Sequence, residues 1–172
     1  MAAELEGQIS DGLGDLLVVS KAAFGCLLLA TVLTMAVIDC REMILPNRLN
    51  AILAAGGVGQ AVFIGRPDLT DALLGALFGF VVLSMIAVIF RYLRGIDGLG
   101  FGDQKFAAAT GLWIGWEQIT SMLLIASCSA LIFVIVRSVK RQKLDIAARL
   151  PFGPFLGLGT VVCWSMAIVP GS

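Results

Sequence analysis

The stretch ALLGALFGFVVLSMIAVIF, residues 72–90, contains no charged side chain. As an α-helix rising ~1.5 Å per residue it is about 28 Å long, close to the ~30 Å thickness of a bilayer's hydrocarbon core. Uncharged runs of similar length occur at residues 22–38 and 118–136. In the whole chain 59% of residues are hydrophobic and only 14% are charged. A water-soluble domain with this composition would expose too much apolar surface, so the pattern predicts a membrane protein.

Glycines recur inside the apolar segments, at 51–60, 73–80 and 155–160. In water such residues weaken helices, but in lipid the backbone must satisfy its own hydrogen bonds, so helices persist. Small residues also allow membrane helices to approach closely. We therefore interpret these glycines as helix-packing positions, with loops as the alternative.

The sequence predicts an all-α fold, a polytopic membrane bundle of about six transmembrane helices. Residues 1–16 form a polar, acidic N-terminal tail that lacks the basic start of a secretory signal. Residues 17–172 form a single membrane-embedded domain. The predicted spans are 17–38, 48–65, 70–92, 103–116, 118–137 and 151–169.

The basic residues fall mainly in the loops that follow the first, third and fifth predicted spans. These are Arg41, Arg48, Arg91, Arg94, Lys105, Arg137, Lys140, Arg141, Lys143 and Arg149. The other side holds only Lys21 and Arg66. The positive-inside rule then places the basic loops in the cytoplasm and both termini outside. For the most basic loop, 137–151, we favour an anchor beside anionic membrane lipids over a substrate-docking segment.

Histidine is absent, which excludes histidine-ligated metal sites and Ser-His triads within this sequence. None of the four cysteines forms a CxxC pair, so a zinc knuckle or thioredoxin-like motif is unsupported. We expect no metal, no cofactor and no nucleic-acid partner. Cys26, Cys128 and Cys163 lie in apolar runs and are expected to pack, whereas Cys40 is an alternative nucleophile that no histidine can activate.

Two aspartates lie at the predicted cytoplasmic ends of their helices. Asp39 ends the first span, and Asp103 begins the fourth within GLGFGDQKF, residues 98–106. Carboxylates held close together share a proton, so one can activate water while the other polarises a peptide carbonyl. Gly100 and Gly102 would let a substrate backbone approach closely. The pair predicts aspartyl proteolysis.

Other interpretations of the same residues stay open from the sequence. Asp103 could cap the fourth helix while Lys105 anchors it to lipid headgroups, and Asp39 could pair with Arg41. Glu42 or Asp97 could supply the second acid, and the role of Gln104 is undefined. Rival functions are a proton-coupled transporter, which needs polar residues near mid-span, and a non-catalytic membrane component of a pilus or secretion assembly.

Three motifs, in order, resemble those of type IV prepilin peptidases. GFGDQKFAAATGLWIGW (100–116) is similar to their GxGD and lysine segment, IDCREMILPN (38–47) to their first aspartate motif, and PFGPFLGLGT (151–160) to their last. The resemblance covers about residues 22–169 and implies an integral-membrane aspartyl protease that cuts the leader of prepilins or pseudopilins at the cytoplasmic face. It implies a multi-pass protein of the bacterial or archaeal cytoplasmic membrane, with lipids and, indirectly, the pilus or secretion machinery as partners.

The resemblance also implies roles for single residues. Asp39 and Asp103 correspond to the catalytic aspartates, and Lys105 to a supporting lysine. Residues that shape the site are Gly100, Gly102, Pro46, Asn47, Pro151, Gly153 and Pro154. Many family members carry an N-terminal region with two CxxC pairs linked to N-methylation. This sequence lacks those pairs, so we predict cleavage without methyl transfer, as in compact members that serve Flp/Tad-type pili or the archaeal preflagellin branch.

Overall fold

The computed structural model describes residues 2–95, 98–141 and 150–168, with the backbone alone for 2–11, 140 and 141. Its helices are α1 (Ala2–Glu42), α2 (Asn47–Ile64), α3 (Leu69–Arg94), α4 (Phe101–Arg141) and α5 (Gly153–Ile168). The described ranges contain helices and no strand, so the predicted all-α fold is confirmed. The polar N-terminal segment is helical from Ala2 and continuous with the first span.

Helix α4 is interrupted at Gly115, whose φ of 74° and ψ of 173° are not helical. A side chain is strained at this positive φ, and a Cβ there would lie 3.2 Å from Pro67 Cβ. The break divides α4 into α4a (101–114) and α4b (116–141). These halves correspond to the predicted fourth and fifth spans, so the described chain forms six helical segments.

Three helical stretches are long and apolar enough to cross a membrane. They are Gly12–Glu42, Leu69–Arg94 and the interrupted stretch Phe101–Val139. Gly153–Ile168 is apolar but shorter. The long stretches keep large side chains such as Leu77, Val88 and Ile132 on the outer surface. These exposed apolar faces suit lipid as the surrounding solvent, and the protein is a helical membrane protein.

Glycines bring the helices into backbone contact. A Cβ on Gly75 of α3 would lie 2.5 Å from the Gly111 carbonyl oxygen of α4a. A Cβ on Gly79 of α3 would lie 2.6 Å from the Ala107 carbonyl oxygen, also on α4a. A Cβ on Gly159 of α5 would lie 2.5 Å from the Met122 carbonyl oxygen. The prediction that these glycines are packing positions is confirmed.

The core lies around α4a, between α1, α2 and α5. Trp113 is fully buried and its Nε1 donates to the Leu53 carbonyl of α2 at 2.7 Å. Of the cysteines expected to pack, only Cys163 is buried. The expectation was wrong for Cys26 and Cys128, which lie exposed on the outer surface, where an apolar environment needs no inward packing.

Gln60 joins four parts of the bundle although its side chain is 0% exposed. Its Nε2 donates to the Trp113 carbonyl at 3.2 Å and to the Arg66 carbonyl at 2.9 Å. Its Oε1 accepts from Trp164 Nε1 at 2.7 Å. Trp113 lies two residues before the break at Gly115, so Gln60 supplies a donor to the backbone at the point where α4 is interrupted.

Candidate active site

Asp39 lies in the last turn of α1 and is only 5% exposed. Its Oδ2 accepts a hydrogen bond from the main-chain N–H of Gly153 at 2.9 Å. Gly153 is the first residue of α5, where an N–H has no partner within its own helix. The N-terminus of α5 therefore positions the Asp39 carboxylate.

Asp103 is the third residue of α4, and its N–H donates to the Gly100 carbonyl at 3.1 Å. Its partly buried carboxylate lies against the backbone of Gly100, near enough to Asp39 for the two carboxylates to repel each other when both are ionised. A Cβ on Gly100 would lie 3.3 Å from Asp103 Oδ2. The structure thus brings the two predicted aspartates to the same end of the bundle, where Gly100, just before α4, leaves room for the Asp103 carboxylate.

Leu45 packs between two glycines of the site. A Cβ on Gly102 would lie 3.0 Å from Leu45 Cβ, and a Cβ on Gly153 would lie 3.3 Å from Leu45 Cδ2. The leucine is buried and joins the α1–α2 loop to the starts of α4 and α5. We did not predict Leu45 as a site residue, although its position directly before Pro46 in an apolar-Pro-polar motif was a usable signal.

Lys105 and Asn47 join the starts of α4 and α2. Lys105 Nζ donates to Asn47 Oδ1 at 2.9 Å and lies 4.7 Å from the centroid of the Phe101 ring. Pro46 precedes α2 in an extended conformation, φ −64° and ψ 130°, which its ring favours. The motif at 38–47 and the motif at 100–116 are therefore in contact.

The remaining predicted residues shape the entry to α5. Pro151 precedes the helix and Pro154 is its second residue, where a missing N–H costs no intrahelical bond. The Phe152 carbonyl accepts from the N–H groups of Phe155 and Leu156, both at 3.1 Å. Gly153 is thereby held at the helix start, facing Asp39.

The structure also bears on the alternatives. Asp103 lies inside the first turn of α4 and not before it, where a capping residue would lie. Arg41, Glu42 and Cys40 are exposed, whereas Asp39 is buried. Gln104 accepts from Ser84 Oγ at 3.0 Å and so joins α4a to α3. Asp97 and most of the basic loop, 142–149, lie outside the described residues. Within the described ranges no three cysteine, aspartate or glutamate side chains are grouped to hold a metal ion.

No solved structure matches this chain. It is 38% identical over 138 residues to a prepilin leader peptidase/N-methyltransferase of Burkholderia pseudomallei, covering 80% of this chain and 44% of that protein. It is 35% identical over 141 residues to a protein of the same name from Pectobacterium carotovorum subsp. carotovorum, covering 81% of this chain and 50% of the relative. The chain thus spans about half the length of these two relatives.

A shorter relative is covered more fully. The chain is 36% identical over 127 residues to leader peptidase HopD of Escherichia coli, which covers 73% of this chain and 82% of HopD. The sequence model of the type IV leader peptidase family matches residues 26–135, a range that includes Asp39 and Asp103. This chain belongs to the type IV leader peptidase family.

Proposed function

We propose that this chain is a membrane-embedded aspartyl endopeptidase that removes the leader peptide from type IV prepilins or pseudopilins. The observation that carries the proposal is that Asp39 and Asp103, which come from different motifs, lie at the same end of the bundle. Leu45 packs there against Gly102, next to Asp103, and against Gly153, which bonds Asp39. The names of the relatives, prepilin leader peptidase and leader peptidase, support the substrate class.

The chemistry follows from a pair of carboxylates that shares one proton. The ionised carboxylate takes a proton from a water molecule, and the oxygen of that water attacks the peptide carbonyl carbon. The protonated carboxylate polarises the carbonyl oxygen, and the C–N bond then breaks as the leaving amine receives a proton. Because Oδ2 of Asp39 already accepts a hydrogen bond from the Gly153 N–H, the other oxygen of Asp39, Oδ1, is available to bind the water. No covalent intermediate with the enzyme forms.

The finer proposals concern location and product. We infer that the aspartates act at the cytoplasmic face of a bacterial or archaeal cytoplasmic membrane, with both termini outside. The reason is that the basic loops and the two aspartates fall on the same predicted side, and basic loops favour the cytoplasm. We also infer cleavage without N-methylation, on Flp/Tad-type or related pilins, because no CxxC pair is present in this sequence.

The test is leader cleavage of candidate prepilins co-expressed with wild type, Asp39→Asn or Asp103→Asn. Each substitution keeps size but removes ionisation, and we expect cleavage to fall at least about 100-fold. Glu42→Gln is the matched control, since Glu42 is an exposed carboxylate three residues from Asp39. If both aspartate variants cut normally while inserting in the membrane, the pair is not catalytic.

The rival functions give different outcomes. An assembly component would work without either aspartate. A proton-coupled transporter would need a path of polar side chains through the membrane. Two polar residues that could line such a path already make hydrogen bonds within the protein: Gln60 bonds the backbone around the α4 break, and Ser84 bonds Gln104. Proton uptake by the protein in vesicles, lost in the asparagine variants, would favour the transporter.

A further inference from the structure

A groove of about 370 Å³ lies between α2, α3 and α4a, away from the two aspartates. Its walls are mainly alanines together with Phe80 and Leu112, and its polar end carries Asn47, Asn50 and Lys105. Lys105 follows Asp103 by two residues, so on a helix the two side chains project about 200° apart. The groove is thus on the opposite side of α4a from the proposed catalytic pair.

Asn50 is the unusual residue of this groove. Its side chain is only 6% exposed, and neither its Oδ1 nor its Nδ2 has a hydrogen-bond partner. A buried amide without partners costs about 1–3 kcal/mol for each lost interaction, so native structures nearly always satisfy such groups. The surrounding side chains enclose both amide atoms, so the Asn50 side chain must turn towards the groove to meet a bound molecule. A molecule there that offers both an acceptor and a donor would then satisfy both atoms.

The charge at the groove end indicates what kind of molecule this is. Lys105 Nζ contacts Asn47 Oδ1 and the Phe101 ring, and it has no carboxylate partner within the described part of the chain. Its ammonium is therefore available to an anionic group that enters the groove. The rest of the groove is apolar, and its volume lies in the ~300–1,000 Å³ range of small-ligand sites.

We propose that the groove binds one phosphatidylglycerol molecule. The phosphate lies at Lys105, a glycerol hydroxyl donates to Asn50 Oδ1, and an ester carbonyl accepts from Asn50 Nδ2. One acyl chain follows the alanine-lined wall, which opens to the lipid-facing surface at the exposed Ala51. Cationic pockets between membrane helices on the positively charged side suit such headgroups.

The test uses the full-length protein, delipidated in detergent, and measures Tm on adding phosphatidylglycerol or phosphatidylcholine with the same acyl chains. We expect phosphatidylglycerol to raise the wild-type Tm by about 5 °C and phosphatidylcholine to leave it nearly unchanged. Asn50→Leu and the groove-filling Ala51→Phe should lose this rise. Asn50→Leu should also have a higher lipid-free Tm than wild type, because it removes an unsatisfied amide.

Ser127→Phe is the matched control. Ser127 is exposed in a second groove of about 390 Å³, between α3 and α4b, that no charged residue lines. This variant should respond to phosphatidylglycerol as wild type does. Native mass spectrometry should find one retained phosphatidylglycerol on wild type and Ser127→Phe, and none on the other two variants.

Three results would overturn the proposal. They are equal stabilisation of wild type by both lipids, an undiminished response in Asn50→Leu and Ala51→Phe, or displacement of the lipid by a prepilin leader peptide. The last result would assign the groove to the peptide substrate. None of these measurements uses cleavage, so a failure here is distinct from a failure of the proposed function.

Discussion

The main-chain N–H of Gly153 donates a 2.9 Å hydrogen bond to Oδ2 of Asp39, across a sequence separation of 114 residues. This bond ties the start of α5 to the end of α1. It leaves no space for a side chain at position 153, because a Cβ there would lie 2.8 Å from that same oxygen. Glycine at this position is thus a requirement of the Asp39 carboxylate and not only of the turn that begins α5.

Gly153→Ala should therefore disturb the site without changing its acids. We expect a loss of cleavage of up to about 100-fold, because a displacement of about 1 Å at a catalytic group is enough for that effect. The measurement is kcat/KM on a purified prepilin. Gly14→Ala is the control, since a Cβ there meets nothing within 4 Å. Full activity of Gly153→Ala would show that the contact does not position Asp39.

The pH dependence of cleavage should be bell-shaped. The carboxylates of Asp39 and Asp103 are near enough to repel each other, so we expect them to titrate as a pair. In the proposed mechanism only the form with one shared proton is active. The rate should fall on the acidic side when both carboxyls are protonated and on the alkaline side when both are ionised. A profile of kcat/KM against pH with a single limb across the range in which the protein stays folded would contradict a two-carboxylate mechanism.

The Lys105–Asn47 hydrogen bond should couple the starts of α4 and α2. We expect Lys105→Met and Asn47→Ala each to lower the free energy of unfolding by about 1 kcal/mol, and the double variant to lose little more than either single one. Unfolding by SDS in mixed micelles measures this. Arg48→Met is the control, because Arg48 is an exposed cation next to Asn47. Additive losses would mean that the two side chains act independently.

Gln60→Leu should destabilise the protein strongly while leaving the aspartate site intact. It removes three hydrogen bonds and leaves the Trp164 Nε1 donor without its protein partner. We expect a loss of about 2–5 kcal/mol in the free energy of unfolding. Thr34→Val is the control, since the exposed Thr34 hydroxyl bonds only the Ala30 carbonyl of its own helix. An unchanged stability would show that the backbone at the Gly115 break is satisfied without Gln60.

Much of this protein is determined locally by its sequence. The length of an uncharged run such as 72–90 decides that a segment spans a membrane as a helix, because hydrocarbon offers the backbone no other partner. The motifs around Asp39 and Asp103 could likewise be recognised without coordinates, because their residue types and spacing are properties of the sequence itself.

Other features depended on which helix faces meet, and a single chain segment does not specify that. The bond from Gly153 to Asp39, the position of Leu45 between Gly102 and Gly153, and the three partners of Gln60 all join residues from different helices. In the sequence alone, nothing distinguishes Asn50 from other polar residues near the start of a helix. Only the packing of α2 against α3 and α4a buries its amide without a partner and so marks the groove, because burial is a property of the assembled bundle.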